Sequence, residues 1–168
     1  MILTLDVENT VTKRNGKMHL DPFEPTNTLV MVGMLDDHGR EDIVTFDHSE
    51  QQPTTDGRRI VQDALDAAHL LVAHNAPHDL LWLWESGFTY AGEIFDTMLG
   101  EYVLQRGQKQ PLSLEACAER YELDTKKQDT LKEYFSKGTS TRDIPHAELS
   151  EYLSHDLHAT QQLYNVLV

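Results

Sequence analysis

The hydrophobic pattern changes period part-way along this chain, and that change restricts the fold more than any composition figure does. Residues 2–8 alternate, with Leu3, Leu5 and Val7 on one side and Ile2, Thr4, Asp6 and Glu8 on the other, which is the period of a strand. Residues 28–35 form an almost continuous apolar run and residues 42–46 a shorter one, with Asp36-Asp37-His38-Gly39 as the turn between them. After these three strands in meander order, helices and strands alternate. A helix is predicted over 58–68, where Ile60, Val61, Ala64, Leu65 and Ala68 recur at helical spacing. A strand over 70–73, a helix over 77–86 that ends at Gly87, a strand over 93–96 and a helix over 97–105 follow. Ser113 caps a helix reaching Tyr121, a shorter helix covers 126–135, residues 136–144 read as a flexible connection, and 146–168 as a closing helix. Five strands in this order predict the α/β class, a mixed five-stranded sheet flanked by helices.

At 168 residues and 39% apolar content, one domain spanning 1–168 is expected. No apolar stretch approaches the ~20 residues that cross a bilayer, and the opening Met-Ile-Leu-Thr-Leu-Asp lacks the basic start of a signal peptide. No membrane partner and a cytoplasmic location are therefore expected. The lone Cys117 excludes an internal disulfide framework and reads as a small buried apolar residue. A net charge of −14 argues against grip on nucleic acid through a broad basic surface. Residues 104–142 nevertheless carry 8 Lys/Arg against 6 Asp/Glu, whereas 1–103 carry 6 against 18. Arg106, Lys109, Lys126, Lys127, Lys132, Lys137 and Arg142 read as the only plausible phosphate-facing group, with a solvated mixed-charge face as the alternative.

Three clusters bear on chemistry. Asp6 and Glu8 share a strand face roughly 7 Å apart; half-buried, they would repel and lose hydration, and a divalent cation such as Mg²⁺ or Mn²⁺ resolves both problems. On a solvated strand end they would mean nothing. In His74-Asn75-Ala76-Pro77-His78-Asp79, a helix start explains Asp79 as a partner of the positive helix end, or else the turn presents Asn75 and Asp79 to a ligand. Trp82 and Trp84 with Leu80, Leu81 and Leu83 read as packing. On the last helix, Leu149, Leu153, Leu157, Leu163, Tyr164 and Leu167 form an apolar stripe with Asp156 inside its edge. Tyr152, four residues earlier, is its neighbour, in a structural or a functional pair. His155 and His158 point elsewhere.

Joined, Asp-x-Glu on the first strand, Asn-x-x-x-Asp opening a helix and Tyr-x-x-x-Asp in a late helix resemble the three motifs of the DEDD, or DnaQ-like, 3′–5′ exonucleases. Asp6-Val7-Glu8-Asn9-Thr10 and Phe95-Asp96-Thr97 add to the resemblance, and 65 residues separate Glu8 from His74 and 72 separate Asp79 from Tyr152. Glu151 stands where the histidine variant of the family would need its His, so Tyr152 points to the tyrosine subclass, as in proofreading domains of A- and B-family DNA polymerases and RNase D-type enzymes. The early first motif looks most like phage A-family polymerases, which would place the protein in a host cytoplasm. His78 departs from the Phe or Tyr common in relatives.

The resemblance implies a ribonuclease H-like fold and release of nucleoside 5′-monophosphates from a DNA 3′ end, single-stranded or frayed, beside a DNA polymerase subunit or domain. It implies two Mg²⁺, with Mn²⁺ able to substitute: Asp6 bridging both, Glu8 and Asp156 completing one site, Asp79 supporting the second, and Tyr152 orienting the attacking water. Asn9, Thr10 and Asn75 are the expected substrate contacts. An RNA-trimming enzyme and a non-catalytic polymerase-docking domain are the competing readings. The chain has no room for a polymerase, so a stand-alone subunit or a piece of a longer chain is expected. A calcium module lacks its dense acidic loop and central Gly.

Overall fold

The computed structural model describes residues 1–123 and 129–168. Its elements are β1 (Ile2–Asn9), β2 (Thr12–Arg14), β3 (Lys17–His19), β4 (Leu29–Asp36), β5 (Glu41–Thr45), α1 (Gly57–Ala67), β6 (Leu70–Ala73), α2 (Ala76–Glu85), β7 (Glu93–Asp96), α3 (Thr97–Gln105), α4 (Leu114–Arg120), α5 (Asp129–Ser136) and α6 (His146–Leu167). Five strands form a mixed sheet in the order β5-β4-β1-β6-β7, antiparallel through β5, β4 and β1 and parallel through β1, β6 and β7. This is the α/β architecture expected from the change of period, and it agrees with a ribonuclease H-like fold.

The alternation of β1 decides what lies on each side of the sheet. Leu3, Leu5 and Val7 join Val61 and Leu65 of α1 and Leu80, Trp82 and Leu83 of α2 in one core. The opposite face, which carries Asp6 and Glu8, is covered by α6. There Val30 and Met31 of β4 pack with Leu149 and Leu153, beside Leu131 and Ile144. Leu149, Leu153, Leu157 and Leu163 are fully buried, each worth about 1.5–3 kcal/mol of apolar transfer. The apolar run of β4 is explained by cover on both faces.

Gly33 sets how closely α6 approaches. It pairs with Asp6 across β1 and β4, and a Cβ there would lie 2.8 Å from both Leu153 Cγ and Leu157 Cδ1. The helix therefore rests on bare backbone opposite Asp6. At its start, His146 is held by Thr45 Oγ1 (2.9 Å), its N–H donates to Glu50 Oε2 (3.0 Å), and Arg142 grips Asp47 through two nitrogens (3.0 and 3.1 Å).

Several expectations are corrected. The β2–β3 hairpin was not predicted; its two-residue turn is Asn15-Gly16, with φ of 51° and 78°, the left-handed pair that a tight hairpin demands. Trp84 is 54% exposed and takes no part in the core. The connection 136–144 contains a 3₁₀ turn (Thr141–Asp143) and the fully buried Ile144, whose carbonyl accepts from His48 Nε2 at 2.6 Å. Of the helix expected over 126–135, α5 (Asp129–Ser136) covers the described part, and residues 126–128 lie outside the described residues. Lys126 and Lys127 lie outside the described residues. Among the described residues no helix is long and apolar enough to cross a membrane.

Candidate active site

Three of the four acids singled out in the sequence meet. One carboxylate oxygen each from Asp6, Glu8 and Asp156 lie within 4.8 Å of one another, and all three residues are half-buried. Asp6 and Glu8 come from one strand face, and Asp156 from the α6 turn that follows Leu153 and precedes Leu157. The leucines that seat against Gly33 thus deliver the acid, which is why a carboxylate sits at the edge of an apolar stripe.

Asp79 arrives differently. It is buried in the first turn of α2, and its Oδ1 accepts from the backbone N–H of Val7 at 3.1 Å. The acid is thereby fixed to the strand segment between Asp6 and Glu8, although it stands outside the converging trio. Charge from Asp79 reaches both Asp6 and Glu8.

Burial is the main cause of high proton affinity throughout this cluster. Desolvation, then the charges of Asp79, Asp156 and Glu8, hold Asp6 well above the usual carboxylate range, against a lowering by the Val7 N–H. Desolvation followed by Asp156 and Asp79 pushes Glu8 up to about 8. Desolvation also raises Asp79, opposed by its Val7 hydrogen bond and reinforced by Asp96. Tyr152 is half-buried on α6, and desolvation followed by the charges of Asp156, Glu8 and Asp6 raises its phenol. It therefore stays a neutral O–H donor beside the acids. Bare like charges at this spacing are self-destabilising; an all-oxygen set of carboxylates is the donor chemistry of hard divalent cations. The residues present fit such ions.

Of the three expected substrate contacts, only Asn75 has an exposed side chain. It caps α2 in the left-handed region (φ 65°) without a side-chain capping bond, and its N–H donates to Asp96 Oδ1 at 2.9 Å. Asn9 and Thr10 are buried, at 7% and 6% exposure. Asn9 Nδ2 donates to the carbonyls of Thr10 (2.8 Å) and Leu20 (3.0 Å), and its Oδ1 meets His78 Nε2 at 2.9 Å. Since both Asn9 amide hydrogens are used on carbonyls, His78 Nε2 is the donor. Thr10 Oγ1 accepts from the Thr28 N–H at 2.7 Å. Both residues brace the chain behind Glu8, and a register shift between Glu8 and Asn9 marks the bend.

Three residues have supporting roles that the sequence reading did not assign. Asp96 binds the N–H groups of Asn75 and Met98 through one oxygen, tying the starts of α2 and α3 together. His74 bridges Thr97 Oγ1 (2.9 Å) and the Leu112 carbonyl (2.7 Å), and burial lowers its pKa. Gly33 has the role already described. A Gly inside an apolar run is the sequence signal of close approach. His155 and His158 lie apart from the trio's ligand set and face Glu151 (3.6 Å) and Glu41 (3.9 Å).

Two of the cations expected to face phosphate have acidic partners. Arg142 is bound by Asp47, and Lys132 lies 3.5 Å from Glu115. For these two the mixed-charge alternative is the one observed.

Comparison with known proteins adds a family. A family model described as 3′-5′ exonuclease matches residues 23–168, a span that includes Asp79, Tyr152 and Asp156 and begins after Asp6 and Glu8. A search of curated proteins finds no sequence match. Among solved structures, Brucella melitensis NrnC with bound Mg²⁺ aligns with a TM-score of 0.61 at 18% identity over 99% of this chain and 71% of that chain. NrnC bound to pGG aligns with a TM-score of 0.63 at 20% identity over 99% and 71%. The family B DNA polymerase from the hyperthermophilic archaeon Pyrobaculum calidifontis gives 0.64 at 15% identity, over 99% of this chain and 24% of the polymerase. These likenesses establish the fold, and the sequence match over α2 and α6 supplies what fold alone does not: the chain belongs to the 3′–5′ exonuclease family.

Proposed function

We propose that this protein hydrolyses the terminal phosphodiester at the 3′ end of single-stranded or frayed DNA, releases nucleoside 5′-monophosphates, and works as a proofreading exonuclease beside a DNA polymerase. The observation that carries the reading is the convergence of Asp6, Glu8 and Asp156 within 4.8 Å, with Asp79 fixed behind them on the Val7 N–H.

Asp6, Glu8 and Asp156 would hold one Mg²⁺, and Asp6 with Asp79 a second, Mn²⁺ substituting at both. When bound, such ions make a water acidic enough to attack at neutral pH and offset charge on the scissile phosphate. The chain's own residues do the rest. Tyr152, kept protonated by its surroundings, would donate a hydrogen bond that orients the incoming water, the role of the tyrosine in the tyrosine subclass. Asn75, exposed at the end of β6, would contact the terminal nucleotide, while Asn9 and Thr10 would act on substrate through the backbone they brace. Because cations offset the acids, a chain of net charge −14 can receive a polyanion.

A second reading has one observation in its favour: the fold-level likeness to NrnC bound to pGG suits an enzyme that trims short oligonucleotides, including RNA. Incubating 5′-labelled DNA and RNA of one sequence, and a dinucleotide, with Mg²⁺ separates the two. Faster shortening of DNA from its 3′ end, with 5′-monophosphate product, supports the proposal. A preference for RNA or for the dinucleotide supports the second reading and removes proofreading.

A further inference from the structure

The β2–β3 hairpin has no place in the chemistry above, yet it is mounted directly on the site. Asn9, the residue after Glu8, donates to the Leu20 carbonyl at the hairpin's root (3.0 Å), and Trp82 Nε1 of α2 donates to the same oxygen (2.9 Å). His78, next to Asp79, fixes Asn9 in turn. Asn27 Nδ2 adds bonds to the carbonyls of His19 (2.9 Å) and Asp21 (3.0 Å). A small, two-stranded, mostly exposed ribbon is thus bolted to β1 and α2, two of the three elements that carry site acids.

Its surface departs from the acidic balance of the chain as a whole. Residues 9–20 hold Lys13, Arg14 and Lys17 and not one Asp or Glu, in a chain of net charge −14. Arg14 is held by Glu24 at 2.8 Å, whereas Lys13 and Lys17 are exposed and have no ion pair among the described residues. Met18, Leu20 and Phe23 are 60%, 48% and 63% exposed. Lys13 pairs across the ribbon with Met18 and Lys17 with Arg14, so each face offers a cation, and that of Lys13 stands beside apolar surface. Free cations next to apolar and aromatic groups, on a protein of net charge −14, match a polynucleotide strand, whose phosphates take the cations and whose bases cover the apolar side chains.

We propose that the hairpin is a guide for the single-stranded polynucleotide leading away from the reacting end, with Lys13 and Lys17 on backbone phosphates and Met18 and Phe23 against bases. This rests on the nuclease reading of the site. It assigns affinity for long substrates to a segment separate from the carboxylates, and it explains why the residue after Glu8 is used to anchor a ribbon.

The test is fluorescence anisotropy in Mg²⁺ with a 5′-fluorescein twenty-nucleotide oligo(dT) whose 3′-terminal linkages are phosphorothioates, comparing the parent with Lys13→Gln/Lys17→Gln. Both positions are exposed, and matching thermal unfolding verifies the fold. The double variant is expected to bind about tenfold more weakly, with a log K against log salt slope shallower by about 1.4, the share of two single-strand phosphate contacts. Its hydrolysis of a dinucleotide should equal the parent's. Unchanged affinity and slope, or equal losses on the long oligomer and the dinucleotide, would overturn the inference. A parent that binds through the lysines but cleaves nothing would instead remove the nuclease reading.

Discussion

Replacing Glu8 by Gln should stabilise the metal-free protein while removing its response to metal. Glu8 rises from an ordinary 4.5 to about 8 because burial and the charges of Asp156 and Asp79 oppose its ionisation. A carboxyl whose folded pKa is raised holds its proton longer in the folded state than in the unfolded one. Stability is then lost as pH climbs from the unfolded value through the folded one, here between about 4.5 and 8. At about 1.4 kcal/mol per unit, the ceiling on this cost is about 5 kcal/mol. Glu8 is only half-buried, and its neighbours relax once it is neutral, so about 1–2 kcal/mol is the expected net effect. For a domain of this size that is a Tm difference of about 2–8 °C. In EDTA, the parent's Tm should fall from pH 5 to pH 8.5, and Glu8→Gln should fall less and melt higher at pH 8.5. Saturating Mn²⁺ should reverse the order, since at a hundred times Kd a ligand adds about 2.7 kcal/mol to the protein that binds it. If Glu8→Gln melts below the parent in EDTA at pH 8.5, or gains as much from Mn²⁺, the electrostatic account of the cluster is refuted.

Gly33→Ala places a methyl 2.8 Å from Leu153 and Leu157. It should cost about 1–3 kcal/mol in urea unfolding and weaken Mn²⁺ binding by shifting Asp156. Tyr152→Phe removes only the hydroxyl, so kcat on single-stranded DNA should fall about 10²-fold with little change in Tm. Asn9→Ala strips donors from the Leu20 and Thr10 carbonyls and should cost about 1–3 kcal/mol by denaturant unfolding. Glu101→Ala leaves Arg120, now paired with it at 2.6 Å, without its counter-charge. A loss of about 3 kcal/mol in thermal unfolding, without altered Mn²⁺ affinity in calorimetry, would mark that pair as structural.

How much was legible follows from the distance over which each signal acts. The alternation in residues 2–8 gave β1 its two faces, and the leucine stripe of the last helix named the face that turns to the sheet. Those two local patterns bring Asp6, Glu8 and Asp156 onto one side. What they could not give is the distance between helix and sheet, because this depends on Gly33 meeting Leu153 and Leu157 across more than a hundred positions. The hairpin was missed for the opposite reason. Its strands have three residues each and no buried face, so the hydrophobic pattern is silent there, and only Asn15-Gly16 announced the turn. The bracing bonds of Asn9 and Thr10 were not legible because residue type alone does not reveal that buried carbonyls and amides nearby need partners. Trp84 looked like core because aromatic content predicts burial on average and not by position.

The claim on which the account turns is that these acids hold divalent cations beside the scissile phosphate. Crystals soaked with Mn²⁺ and a nucleoside 5′-monophosphate, measured at the manganese edge, test it most directly. The account predicts two anomalous peaks about 3.5–4 Å apart, one touching Asp6, Glu8 and Asp156 and the other shared by Asp6 with the nucleotide phosphate and served by Asp79. Saturating Mn²⁺ with no peak among these carboxylates, or with the nucleotide bound away from them, would contradict it.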